Sequence, residues 1–212
     1  MHPIFAVFEI LGTVAFAVSG ALEAIRHKMD IFGVCVLGVI TATGGGILRD
    51  IVIGQIPPKV FLNPNCAVIA ALVAILVFLL IRIYKKKAGP KFAHLSEALY
   101  LLSDTLGLGV FTVLGIEGAG QANGALLLFV GVITGVGGGV LRDVLSGTVP
   151  SIFRKHIYAL ASAAGALADI LLMRIIPTQI AMIIGFVVVV VIRLLAVHYK
   201  WNLPKIENID GI

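Results

Sequence analysis

Gly38-Val39-Ile40-Thr41, Gly44-Gly45-Gly46, Leu48-Arg49-Asp50, Gly54 and Pro57 follow one another in a single apolar run. The pattern returns as Gly131-Val132-Ile133-Thr134, Gly137-Gly138-Gly139, Leu141-Arg142-Asp143, Gly147 and Pro150. At an offset of 93 residues the windows 38–58 and 131–151 agree at 12 of 21 positions. Each copy sets three adjacent glycines and an Arg-Asp pair among strongly apolar neighbours. Both features are costly there, and both require a reason.

The surroundings supply the solvent. Apolar residues are 59% of the 212-residue chain and charged residues 13%. A soluble domain of this size has too little interior to bury so much apolar surface. Apolar stretches of about 20 residues recur, the length a helix needs to cross a bilayer. Seven such spans can be drawn, at 4–25, 31–54, 64–83, 95–116, 123–147, 156–175 and 177–198. The expected architecture is an all-α integral membrane protein forming a single membrane domain over 1–212. The first run lacks the basic n-region of a secretory signal and carries Glu9 and Glu23, so it reads as a retained helix.

Short connections separate the spans, and their charges report orientation. Seven spans put the termini on opposite sides. The first, third and fifth connections with the tail hold ten basic residues, among them Arg26, Lys85, Lys86, Lys87, Arg154 and Lys155. The opposing segments hold only Lys59 and Arg174. This bias predicts the N-terminus outside and the C-terminus in the cytoplasm of a multi-pass protein of the cell membrane. The net charge of +5 is thus topogenic and no footprint for nucleic acid. The run of Arg82 with Lys85–Lys87 reads as a solvated anchor at the lipid surface.

The repeat extends beyond the glycines. An offset of 95 brings Phe16 onto Phe111, Gly12 onto Gly107, Gly20 onto Gly115 and Glu9 onto Asp104. Spans 1–3, about 4–83, then correspond to spans 4–6, about 95–175, with the seventh left over. A three-span unit has odd parity, so its second copy enters the membrane from the other side. Such inverted repeats are common among transporters, whose sites lie near the repeat interface.

Three glycines inside a helix cost about 3 kcal/mol relative to alanine. A membrane tolerates that where protein or water satisfies the freed backbone groups. We read Gly44, Gly45, Gly46, Gly137, Gly138 and Gly139 as places where the second and fifth spans bend or break beside a central pathway. Close helix packing is the alternative. Thr41 and Thr134, three residues before the triplets, either offer hydroxyls to a dehydrated cation or bond their own helix.

Intramembrane arginines need interior partners. Asp50 and Asp143 adjoin Arg49 and Arg142, but neighbours on a helix point about 100° apart. At ~1.5 Å per residue, Arg49 lies ~27 Å along its span and Glu9 ~8 Å along the first, which puts both in the outer half. Depth therefore predicts the pairs Arg49–Glu9 and Arg142–Asp104, one toward each mouth, gating the pathway or anchoring the helix ends. Asp169 has no acidic counterpart in the third span. It lines the pathway or pairs with Arg174 or Arg193.

Other chemistries lack their residues. Cys35 and Cys66 form no CxxC and read as small buried hydrophobes. No GxxxxGK[ST] loop, HExxH or Ser/His/Asp arrangement is present, so neither an ATP-driven pump nor an enzyme is indicated, and no cofactor or metal is called for.

The doubled Gly-Gly-Gly-x-Leu-Arg-Asp motif, in the second and fifth of seven helices, resembles the prokaryotic trimeric intracellular cation (TRIC) channels. These share a superfamily with a bacterial group known as glycine transporters. The resemblance implies a homotrimer with a pore in every protomer, lined by glycine-kinked spans 2 and 5 and conducting monovalent cations, chiefly potassium. It places Arg49, Asp50, Arg142 and Asp143 beside that pore. Animal members carry a Lys-Glu-Val signature for phosphoinositides. The corresponding stretch here is Gly46-Ile47-Leu48-Arg49-Asp50, so that dependence does not carry over, and membrane lipid remains the implied partner. The residues alone leave open a secondary transporter for glycine or another small neutral amino acid, in which half-helix amides would hold the carboxylate.

Overall fold

The computed structural model describes residues 3–84, 91–120, 122–154 and 157–201. Among the described residues there are nine helices and no strand. They are α1 (Pro3–Arg26), α2 (Ile31–Val52), α3 (Lys59–Leu62), α4 (Asn65–Tyr84), α5 (Lys91–Ala119), α6 (Gly124–Leu145), α7 (Ser151–Arg154), α8 (Tyr158–Leu172) and α9 (Thr178–His198). Six of them, α1, α2, α4, α5, α6 and α9, are long and apolar enough to cross a bilayer. The protein is a multi-pass membrane protein. Helix α8 is apolar but only 15 residues long, short of the usual 17–25 for a span. The one-turn helices α3 and α7 were not foreseen. Lys85–Lys87, Lys155, His156 and the tail after Trp201 lie outside the described residues.

The two glycine-bearing helices begin and end on the same devices, 93 residues apart. Asp30 caps α2 by accepting the Gly33 N–H at 2.8 Å, and Asn123 caps α6 by accepting the Leu126 N–H at 2.8 Å. Each supplies an oxygen to one of the four N–H groups that a helix start leaves unpaired. At the far ends Gly54 and Gly147 take φ of +74° and +72°, the left-handed turn that releases a chain from a helix and favours glycine. Gln55 N–H then closes on the Asp50 carbonyl at 2.8 Å, and Thr148 N–H on that of Asp143 at 2.9 Å.

Helices α1, α2, α5 and α6 form the centre, with α4 against α1 and α2, and α8 and α9 against α5. Phe16 of α1 and Phe111 of α5 stack at 5.2 Å between ring centroids. They sit in a core with Ala17, Ala42, Val110 and Met182. Helix α4 buries only Ala70 and Ala74. Its exposed Leu72, Leu76, Leu79 and Ile83 suit hydrocarbon, where an apolar face carries no penalty. Cys35 and Cys66 are half-buried free thiols, more exposed than the small core hydrophobes expected.

The triplets do not break their helices. Both α2 and α6 run as uninterrupted helix through Gly44–Gly46 and Gly137–Gly139. Instead the two helices cross there at backbone contact. A β-carbon on Gly45 would collide with the carbonyl oxygen of Thr134, and one on Gly138 with that of Thr41. Above them, a β-carbon on Gly44 would lie 2.5 Å from Leu141 Cδ1 and one on Gly137 2.8 Å from Leu48 Cδ1. Each motif leucine thus seats on the other helix's first glycine. The glycine cost is met by close approach, as in small-residue membrane crossings.

Candidate functional site

The Arg-Asp pairs at the ends of α2 and α6 are held by the turns that follow. Asp50 Oδ2 accepts the Lys59 N–H at 2.7 Å, and Asp143 Oδ2 accepts the Ser151 N–H at 2.7 Å. This fixes each carboxylate at the start of the next short helix. The other oxygen faces the preceding arginine. Arg49 donates to Asp50 Oδ1 from Nε at 2.9 Å, with Nη2 at 2.8 Å. Arg142 Nε and Nη2 each stand 2.8 Å from Asp143 Oδ1. Neighbours do point apart on a helix, but a guanidinium on its long stem curls around the helix end to a carboxylate fixed from outside. The expectation that these neighbours do not meet was wrong for that reason. Asp50→Ala should therefore loosen the 53–58 connection and speed its cleavage by protease, with Asp50→Asn milder; equal cleavage in all three proteins would remove the staple role.

The two ends then differ. Arg142 is wholly buried and gathers partners from other helices. Its Nη1 donates to Asp104 Oδ1 of α5 at 2.6 Å and also to Ser19 Oγ of α1. Its guanidinium lies 5.0 Å over the Tyr100 ring, whose other neighbour is Arg26 at 4.5 Å. Tyr158 of α8 donates its hydroxyl to Asp104 Oδ1 at 3.2 Å. Arg193 of α9 places Nη2 3.9 Å from Asp104 Oδ2 and lies 4.7 Å over the Tyr158 ring. The predicted Arg142–Asp104 pair is present, inside a larger cluster. A cavity of about 130 Å³ lined by Glu23, Arg26, Tyr100, Asp143, Thr148 and Ser151 opens beside it.

At the other end the predicted Arg49–Glu9 pair does not form. Arg49 is ion-paired to Asp50, and α5 leaves it room at Gly118, where a β-carbon would sit 3.0 Å from Arg49 Cδ. Glu9 is exposed, on the side of α1 near Cys66 of α4. Equal depth fixes height in the membrane but not the direction around the helix. Thr41 and Thr134 are fully buried and donate their hydroxyls to Leu37 and Val130 carbonyls, both at 2.6 Å. Their oxygens also press on α1 and α5, where β-carbons on Gly20 and Gly115 would lie 2.5 and 2.7 Å away. Asp169 is buried, packs against Gly185 of α9, and pairs with neither Arg174 nor Arg193.

Sequence reasoning missed Ser19, Tyr100 and Tyr158 as members of the Arg142 cluster. It named Arg193 only as a partner for Asp169. The intramembrane charge of Arg193 was the available signal; nothing pointed to the serine or the tyrosines.

The family model described as Glycine transporter matches residues 6–82 and 101–174. An Escherichia coli (strain K12) relative, UPF0126 inner membrane protein YadS, is 38% identical over 200 residues, covering 92% of this chain and 93% of its own. A solved structure described as the basis for conductance through TRIC cation channels matches with a TM-score of 0.82 and 34% identity, over 98% of this chain and 99% of that one. The chain belongs to the TRIC and glycine-transporter family. A TRIC trimeric intracellular cation channel orthologue from Rhodobacter sphaeroides agrees, with a TM-score of 0.82 and 31% identity over 93% and 99% of the two chains. Each segment matched to the family model holds one Gly-Gly-Gly-x-Leu-Arg-Asp motif, at 44–50 and 137–143. Helix α9 and its Arg193 lie beyond both segments.

Proposed function

We propose that this protein is a channel for monovalent cations, chiefly potassium, with a pore inside each protomer of a homotrimer. The observation that carries the reading is the crossing of α2 and α6. Two helices in the middle of the bundle touch backbone to backbone at their glycines, and each ends in an Arg-Asp pair, buried at Arg142 and partly exposed at Arg49. A pathway along that crossing is closed at one end by the fully buried Arg142. It opens when α2 and α6 bend at Gly44–Gly46 and Gly137–Gly139, which removes the contact without bulky side chains having to pass. Thr41, Thr134 and the freed carbonyls then face the ion, while Arg49, Asp50, Arg142, Asp143 and Asp104 set the charge at the mouths.

In this reading α8 is a short seventh span, and α1, α2 and α4 repeat as α5, α6 and α8 in inverted orientation. The recurrence of caps, turns and glycine contacts at matched positions supports it. The N-terminus lies outside, and the Arg142 cluster faces the cytoplasm. The named TRIC relatives support cation conduction and self-association, and lipid fills the outer faces.

The family model's description favours a second reading, a carrier of glycine or another small neutral amino acid. Purified protein in a planar bilayer under a potassium gradient separates the two. The channel reading expects discrete openings with a cation-selective reversal potential. A silent bilayer, with the same preparation taking up labelled glycine into liposomes, would overturn it in favour of the carrier.

A further inference from the structure

Arg193 is placed as though waiting for a partner. It is buried to 3% exposure, yet its Nε and Nη1 have no hydrogen-bond acceptor among the described residues. Among the described residues its one ion-pair carboxylate is Asp104, whose Oδ2 stands 3.9 Å from Nη2, too far for a hydrogen bond. Buried guanidinium N–H groups left without acceptors are costly. Asp104 meanwhile gives its Oδ1 to Arg142 and Tyr158.

The cluster divides cleanly by helix. Arg142 and Asp143 are both on α6 and bonded to each other. Asp104 and Arg193 are on α5 and α9. If α6 withdraws, it carries away a neutral pair and leaves a neutral pair behind. Without Arg193, the same motion would strand Asp104 as a lone buried carboxylate. The other end of the molecule needs no such residue, because among the described residues Arg49 has no carboxylate partner outside α2.

We infer that Arg193 is the reserve counter-ion for Asp104, a positioning residue that lets α6 release Asp104 and move. The inference rests on the proposal that α6 moves during transport, but not on which solute crosses. When Arg142 leaves, Asp104 turns its carboxylate onto the idle Nε and Nη1 of Arg193. The Tyr158 ring, lying under that guanidinium, keeps its plane in reach.

The test reads α6 motion directly. Ser146, at the end of α6 and 9% exposed, is changed to cysteine in a Cys35→Ala, Cys66→Ala background. The full chain in liposomes is then treated on both faces with a charged methanethiosulfonate. Arg193→Met should slow modification at least about tenfold, because withdrawal now strands a charge. Asp104→Asn should speed it about tenfold, since the bond holding Arg142 is gone. The double variant should follow Asp104→Asn, because Arg193 matters only while Asp104 needs it. Arg193→Gln replaces the methionine variant if that chain is not recovered, with the same expectation.

An unchanged or faster rate in the single Arg193 variant overturns the inference. So does a double variant that stays slow, which would make Arg193 a packing residue. This pattern in a preparation that conducts nothing would retain the inference and remove the channel. Conduction without the pattern would do the reverse.

Discussion

Gly45→Ala and Gly138→Ala should each lower the melting temperature of the detergent-solubilised protein by roughly 6–12 °C, whereas Gly46→Ala should leave it unchanged or slightly raised. The larger shift corresponds to on the order of 3 kcal/mol. At Gly45 and Gly138 the obstructing atom is a backbone carbonyl oxygen of the opposing helix, Thr134 or Thr41. A side chain can rotate away from a new methyl, but a carbonyl inside a helix cannot, so α2 and α6 must separate along their whole crossing. That also unseats Leu48 and Leu141 from Gly137 and Gly44.

Gly46 differs because the nearest atom to its added β-carbon is Arg49 Nη2 at 3.9 Å, an ordinary contact. Alanine there gains up to about 1 kcal/mol of helix propensity. The comparison also separates the two uses of the triplet. Where bending is part of opening, Gly46→Ala stiffens the hinge and lowers open probability although the protein is at least as stable. Equal melting temperatures for the Gly45 and Gly46 variants would dismiss the backbone crossing.

Much of this was legible because it followed from counting. Helix type, the succession of long apolar helices and the recurrence of the motif 93 residues on came from hydropathy and repeat spacing, since a bilayer admits few alternatives. The short α3, α7 and α8 did not match the seven full spans expected. Even the α6 pair was found, because Arg142 and Asp104 share a depth and also face each other. Arg49 and Glu9 share a depth but not a direction, and a linear sequence does not encode the rotation of one helix about another. The Arg-Asp contacts were hidden for a different reason. They depend on backbone N–H groups of Lys59 and Ser151, eight or nine residues on, and on a turn whose traces in the sequence, Gly54 with Pro57 and Gly147 with Pro150, do not say which N–H the carboxylate will meet. The triplets were ambiguous in principle, because hinge and close crossing ask for the same residue. Only the position of the opposing carbonyls distinguishes a glycine that must be glycine from Gly46, which need not be.

Arg142→Met should cost about 3–5 kcal/mol of stability, and adding Asp104→Asn should return at least about 1 kcal/mol of it. The sign follows from charge. The buried cluster of Arg142, Arg193, Asp104 and Asp143 is neutral as found. Removing Arg142 leaves one cation for two carboxylates, and Asp143 loses its one ion-pair partner among the described residues. Neutralising Asp104 as well leaves one charge of each sign, so a second substitution in the core relieves the first. Independent sites would add their losses instead. Arg49→Met should cost less, about 1 kcal/mol, because that pair reaches solvent through an arginine side chain 13% exposed. The measurement is chemical or thermal unfolding of five proteins, the unsubstituted chain, Arg142→Met, Asp104→Asn, their double variant and Arg49→Met, in one detergent at one salt concentration. Additive losses for Arg142 and Asp104 would mean that the cluster is held by packing rather than by charge, and an Arg49 variant as damaged as Arg142→Met would remove the asymmetry between the two ends. With the asymmetry intact, a pathway of the kind proposed would be sealed at the Arg142 end, where α6 would have to unlock it, and would stand closer to open at the Arg49 end.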